Sequence, residues 1–282
     1  MDPLRCQEAL LVSCGRKIRS GTCWGESLAV SASQKETGVC LRSSDNRADG
    51  MKCAPGEVHV WRVELDCAVA IATALRATLS PEEEQRAARV RSIELRQRWT
   101  VARGALRSIV ADYARCEPGV LVFREGPHGK PALAGLGEDI PFNLSHTGGL
   151  ALVAIAGIGR VGIDAETVRS EVEVEELSRR FFAPDEADEI LALSPDARLA
   201  AFFTCWTRKE AFVKALGGGL SVPLDSFRVS VRSDQPARLL WVDGEESDQW
   251  SLLDISEPGV AAALVVEGTA PVLQRVNFVP SP

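Results

Sequence analysis

The sequence predicts an α+β fold of two similar lobes in a pseudo-twofold arrangement, with a cleft between them. Two observations carry this. The order strand, helices, strands occurs twice, at about 57–157 and 158–282, with no residue-level repeat. Each half also reads as a helical layer on a mostly antiparallel sheet.

Residues 1–56 stand apart. They are rich in Ser, Gly, Cys and Arg and hold no sustained period of 2 or 3.6. The only methionines are Met1 and Met51, and ordered-looking sequence starts just after the second. The expectation is a flexible N-terminal extension, or an over-early start, outside the folded lobes.

Val58–Leu65 then alternates like a strand with one wetter face. Ser80, Pro81 and three glutamates form a strong helix start: an N-cap, proline at N1 and acids in the first turn. The helical pattern runs to about Tyr113, with Trp99, Ala102, Leu106, Ile109 and Tyr113 at spacings of three and four. Strand-like runs follow at Val120–Phe123 and Leu150–Ala156, closing a first lobe at 57–157. In the second lobe, 158–282, Arg160–Asp164 reads as a strand. Helical stretches near 172–193 and 196–216 follow, then strand-like runs at Phe227–Val231, Leu239–Val242 and Val260–Val265.

Composition narrows the function. A net charge of −7 argues against a general nucleic-acid binder, whose affinity would come from clustered Lys and Arg. A small anionic ligand in a local basic pocket stays compatible. No apolar run reaches the roughly 18 residues of a membrane helix, and Ala9–Val12 is too short for a secretory signal, so a cytoplasmic protein is expected. Five of the eight cysteines lie in the first 53 residues and none forms a CxxC pair, which reads as free thiols in a reducing compartment. Three histidines without HExxH exclude a zinc hydrolase of that type.

Two segments hold the strongest chemistry. Val161-Gly162-Ile163-Asp164-Ala165-Glu166 is an apolar strand ending in two acids. Period two puts Asp164 and Glu166 on one side, about 6–7 Å apart. Such acids repel unless a cation sits between them, and a hard divalent ion with oxygen ligands suits that place. A solvated strand end would look the same. In Trp206–Lys214, the residues Trp206, Glu210 and Lys214 fall on one helical face beside the apolar Leu199, Phe202 and Phe203. Charge beside such a stripe is costly unless a ligand uses it, although an exposed i,i+4 pair is the alternative.

Gly126–Pro131 is a tight turn presenting Lys130. It is not a P-loop, because Arg124 and Pro131 occupy positions that require Gly and Ser/Thr. Phe142–Gly149 reads as a turn between strands offering Ser145 and His146. Neighbours on extended chain point apart and no GxSxG surrounds them, so a serine hydrolase is disfavoured. Gly217-Gly218-Gly219 reads as the end of a helix.

Taken together these segments resemble the 4′-phosphopantetheinyl transferase family, in its large two-lobed, surfactin-synthetase-activating type. The markers span about 57–272: Leu79-Ser80-Pro81, Gly129-Lys130-Pro131, Asn143–Gly148, Gly162–Glu166, Trp206–Lys214 and Pro223–Phe227. The resemblance implies transfer of phosphopantetheine from coenzyme A to a serine of an acyl or peptidyl carrier protein, releasing 3′,5′-ADP, with Mg2+ as cofactor. It implies Asp164, Glu166 and Glu210 as metal ligands and Lys214 on the pyrophosphate. Lys130, Ser145 and His146 match residues around the nucleotide, and Arg86 and Arg103 are further phosphate candidates. Glu210 is the candidate base, directly or through water. Glu83 stands where the family has a lysine, which suggests rearranged phosphate contacts. A monomer without nucleic-acid or membrane partners is expected. The alternatives are a catalytically silent carrier-binding homologue and a different Mg2+-dependent phosphotransferase using a nucleoside triphosphate.

Overall fold

Apolar alternation along Glu57–Glu64 builds the strand on which the rest is organised. Val58 and Val60 point to one face, while His59, Trp61 and Val63 point to the other, and all five are buried. The computed structural model describes residues 40–43, 51–126, 128–135, 140–242 and 247–280. Its strands are β1 (Cys40–Ser43), β2 (Glu57–Glu64), β3 (Val122–Glu125), β4 (Pro131–Ala134), β5 (Phe142–Thr147), β6 (Leu150–Ala156), β7 (Val161–Thr167), β8 (Phe227–Val229), β9 (Leu239–Val242), β10 (Trp250–Asp254), β11 (Val260–Glu267) and β12 (Val272–Val279). Its helices are α1 (Val69–Arg76), α2 (Pro81–Arg89), α3 (Ile93–Ala114), α4 (Val174–Phe181), α5 (Pro184–Leu191) and α6 (Pro195–Leu216).

One sheet has the order β1-β12-β2-β6-β5 and a second has β10-β11-β7, with β3-β4 and β8-β9 as separate pairs. The first sheet is covered on both faces. Trp61, Val63 and Ile155 pack with Val101, Leu106 and Ile109 of α3 on one side. Val58, Val60, Leu150 and Leu152 pack with Ile163 and Leu264 of the second sheet on the other. Strand β6 therefore reads apolar without alternation, because neither of its faces is wet.

Helix α6 lies directly on β7. A Cβ at Gly162 would stand 2.0 Å from the Ala211 carbonyl oxygen and 2.3 Å from the Ala215 nitrogen, so only glycine permits this approach. Helix α1 approaches α3 in the same way at Gly104, where a Cβ would meet the Leu75 carbonyl oxygen at 2.5 Å.

Several expectations change. The helix expected from Ser80 to Tyr113 is two helices. Val90 is extended, Ser92 caps the second helix by accepting from the Leu95 N–H, and Arg96 donates to the Val90 carbonyl oxygen at 2.8 Å. The stretch at 172–193 likewise divides at Ala183, because Pro184 opens a new helix at N1. The Phe142–Gly149 turn is strand β5 followed by a turn at 148–149. Strand β12, late in the second half of the chain, pairs in parallel with β2 of the first half, so sheet membership does not divide at residue 158. The extension expected over 1–56 also loses part of its range. Cys40–Ser43 pair in parallel with β12, and Met51 and Cys53 pack against the core. Residues 1–39 and 44–50 lie outside the described residues. Cys53, Cys67, Cys116 and Cys205 carry free thiols. No described helix is long and apolar enough to cross a membrane.

Candidate active site

The two sheets meet where β5 runs beside β7, and side chains make the join. Asn143 Oδ1 accepts from the Ile163 N–H at 2.8 Å, Ser145 Oγ from the Ala165 N–H at 3.2 Å, and Thr147 Oγ1 from the Thr167 N–H at 2.9 Å. Three polar side chains at period two thus replace a backbone ladder. This fixes the register of β7, and with it Asp164 and Glu166, both 4% exposed. The close approach at Gly162 brings Glu210 and Lys214 of α6 over the same stretch.

Lys214 Nζ donates to Asp164 Oδ1 at 2.6 Å and to Ser145 Oγ at 3.2 Å, and the Ser145 hydroxyl donates to Asp164 Oδ1 at 3.0 Å. One Asp164 oxygen is therefore well supplied. The other, Oδ2, is buried with no hydrogen-bond partner among the described residues, and so is Glu166 Oε2. Two orphaned carboxylate oxygens on neighbouring buried acids are expensive for the protein alone. Burial and the Asp164 charge push Glu166 up to about 8, and the same two causes push Glu210 up to about 7. Burial opposes the Lys214 ammonium, but the Asp164 and Glu210 carboxylates outweigh it and hold its pKa above the usual lysine value. Among the described residues, the three acids do not draw their carboxylates within 4.8 Å of one another. Chemically the arrangement is a buried cluster offering hard oxygen ligands beside a fixed cation, which suits a divalent ion together with an anionic ligand.

The remaining predicted residues are differently placed. Lys130 Nζ donates to the carbonyl oxygens of Val161 at 2.8 Å and Ala215 at 3.4 Å, pinning the start of β7 to the end of α6. Burial, with the Arg160 charge, lowers its pKa to about 8. His146, next to Ser145 on β5, is half-buried. Arg86 lies on α2 and pairs with Glu125 at 2.8 Å. Arg103 stacks 4.4 Å over Phe123 and its Nε donates to Glu83 Oε1 at 2.5 Å. Glu83 also accepts from the fully buried Arg107 at 2.9 Å and from the Ser80 N–H. The acid that replaces the expected lysine is thus the counterion of two arginines and half of a capping box. Asn143 and Thr147 were markers without a role in the sequence reading, although their period-two spacing around Ser145 is a visible signal. Arg169, whose charge lowers the Glu166 pKa against the other causes, had none.

Comparison with known proteins bears on this geometry. A family model described as the 4′-phosphopantetheinyl transferase superfamily matches residues 160–265, from β7 through most of β11. The chain is 37% identical to the 4′-phosphopantetheinyl transferase HetI of Nostoc sp., over 75% of this chain and 88% of that protein. It is 31% identical to the 4′-phosphopantetheinyl transferase Sfp of Bacillus subtilis, over 55% of this chain and 68% of that one. A crystal structure of Thermotoga maritima holo-[acyl-carrier-protein] synthase aligns with 39% of this chain and 62% of its own, at 26% identity and a TM-score of 0.28.

Proposed function

The chain belongs to the 4′-phosphopantetheinyl transferase superfamily, and on that premise we propose that it moves phosphopantetheine from coenzyme A to a carrier-protein serine at the β5–β7–α6 seam. The observation that carries the assignment of the site is the pair of orphaned buried oxygens, Asp164 Oδ2 and Glu166 Oε2, which meet no donor among the described residues. A hard divalent cation is the partner such oxygens lack, and Mg2+ suits it because it shares its coordination between carboxylates and phosphates. Asp164, Glu166 and Glu210 would hold it. When bound, it would neutralise diphosphate charge and lower the barrier to displacement at phosphorus.

The chain's own groups account for the rest. Lys214, already fixed on Asp164, presents a permanent positive charge where the diphosphate would lie. Glu210 takes the proton of the attacking serine hydroxyl, directly or through water. The serine oxygen bonds to the β-phosphorus, the bridging P–O bond breaks, and 3′,5′-ADP departs with that electron pair. Such a transfer needs charge neutralisation and alignment more than covalent help. Ser145 acts by holding Asp164 and Lys214 in place. His146, Lys130 and Arg86 are the groups we assign to the nucleotide and its 3′-phosphate, Lys130 after leaving its carbonyl partners. Arg103 is better read as a structural cation, given its bond to Glu83.

The same reading divides the transferase into pseudo-twofold lobes at about 57–157 and 158–282, around a shared cleft. Helices α3 and α6, each of 22 residues and each packed on an antiparallel triplet of strands, support it. A cytoplasmic monomer serving acyl or peptidyl carriers, of the holo-[acyl-carrier-protein] synthase type, completes the proposal.

The test is mass spectrometry of an apo carrier mixed with the chain, coenzyme A and Mg2+. One phosphopantetheine should be gained per carrier. Absence of the adduct across a panel of carriers, with a well-folded enzyme, would falsify the reading.

A further inference from the structure

Away from that seam, three side chains of unlike chemistry meet at the start of β2. Glu57 and His59 are two residues apart on this strand and share a face. The chain before them turns at 54–57, with the Glu57 N–H donating to the Ala54 carbonyl oxygen at 2.9 Å, and so carries Cys53 back over that face. The turn is held against the sheet. Gly157 donates its N–H to the Glu57 carbonyl oxygen, and a Cβ at Gly157 would stand 1.9 Å from the Ala54 carbonyl oxygen. One ligand atom from each of Cys53, Glu57 and His59 lies within 4.8 Å of the other two.

We propose that Cys53, Glu57 and His59 form a zinc site, distinct from the acid pair, with its fourth position left to water. The donor set is one sulfur, one imidazole nitrogen and one carboxylate oxygen, which suits a borderline ion such as Zn2+ and not Mg2+. Zinc with ligands at 2.0–2.3 Å sets tetrahedral ligand separations of about 3.5 Å, so the three donors close by at most about 1.3 Å on binding. Cys53 Sγ, which donates to the carbonyl oxygens of Glu57 at 3.3 Å and Ile155 at 3.6 Å, makes that adjustment by exchanging those weak bonds for the metal.

The surroundings of His59 match a metal ligand. Its ring is 2% exposed, and Nδ1 lies 2.6 Å from the Tyr113 hydroxyl, which in turn accepts from Trp61 Nε1 at 3.0 Å. With Nδ1–H donating to that hydroxyl, the ring is fixed and Nε2 is left as the acceptor nitrogen, directed toward Glu57 Oε2, 3.6 Å away. Metal-bound histidines are commonly oriented through the second nitrogen in this way. Register separates this place from the transferase seam. His59 pairs with Ile155 of β6, whereas Ser145 pairs with Leu152, three residues along the same strand.

The site would staple the segment before β2 onto the sheet. It is tested by titrating the reduced full-length chain with Co2+ in excess Mg2+, which occupies the acid pair. One equivalent should bind, with a thiolate-to-cobalt charge-transfer band and the visible bands of tetrahedral Co2+, and Zn2+ should bleach both. Cys53→Ser should remove the charge-transfer band, while Cys67→Ser keeps it. Tyr113→Phe, which retains the ring packing, should weaken Co2+ binding about 10- to 100-fold. Circular dichroism confirms that each variant is folded, and if Cys53→Ser is not, Tyr113→Phe carries the test. No band at one equivalent, a band that survives Cys53→Ser, or unchanged affinity in Tyr113→Phe would overturn the site.

Discussion

Two buried charge clusters, one under each long helix, invite comparison. Under α3, Glu83 meets Arg103 and Arg107, and its remaining acceptor capacity goes to the Ser80 N–H. Arg107 spends its other donors on the carbonyl oxygens of Pro118, Gly119 and Leu121. Under α6, Asp164, Glu166 and Glu210 outnumber Lys214, and two carboxylate oxygens have no hydrogen-bond partner. Among the described residues the first cluster is answered within the protein, and the second leaves carboxylate oxygens unmatched. Burial of charge alone therefore does not mark a site. Unmatched charge does.

Breaking the complete cluster should cost stability. In Glu83→Ala two arginines lose their carboxylate, and the fold should be destabilised by about 3–5 kcal/mol, read as a lowered urea midpoint. Transfer per folded molecule should persist. A Glu83→Ala chain that is fully stable but inactive would reverse the comparison.

Breaking the incomplete cluster should cost activity instead. Asp164→Ala and Glu210→Ala should each lower carrier modification at least about 100-fold, close to 3 kcal/mol in barrier, with the far-ultraviolet circular dichroism spectrum intact. Retained transfer in either variant contradicts the metal assignment.

Gly162→Ala tests whether the helix must lie so close. The added methyl has no room beside Ala211 and Ala215, and about 1–3 kcal/mol should be lost as α6 is pushed off β7. Carrier modification should fall with it, because Glu210 and Lys214 move away from Asp164.

A further effect is one of pH. Folded, Glu166 and Glu210 keep protons up to about 8 and about 7, whereas unfolded carboxylates lose theirs near the usual value. The unfolded chain binds fewer protons across that window, so metal-free stability should fall as pH rises from about 5 to about 8. Saturating Mg2+ should flatten the slope. Melting midpoints across pH, with and without Mg2+, measure both, and a rising metal-free curve would refute the pairing of repelling acids.

Much of the site was legible because its signals are local. The period-two acids on β7 and the i,i+4 spacing of Glu210 and Lys214 follow from strand and helix geometry. The roles of those residues came from the family resemblance, not from spacing. Less was legible wherever a partner lies far along the chain. Glu83 is a helix-cap acid in sequence and a counterion only once α3 packs on it. Lys130 reads as a phosphate lysine in an exposed turn, yet its ammonium is seated on two carbonyl oxygens from 31 and 85 residues away.

The sequence by itself determined the elements: the capped start of α2, the buried run of β6, the glycine end of α6 and the acids at the end of β7. Periodicity and capping act over four or five residues, so one segment suffices to read them. Only the tertiary structure decided that β12 returns to lie parallel beside β2, and that Asn143, Ser145 and Thr147 stitch β5 to β7. It also decided which buried charges are answered within the protein and which are not. Those outcomes depend on packing between distant segments, which no local pattern encodes.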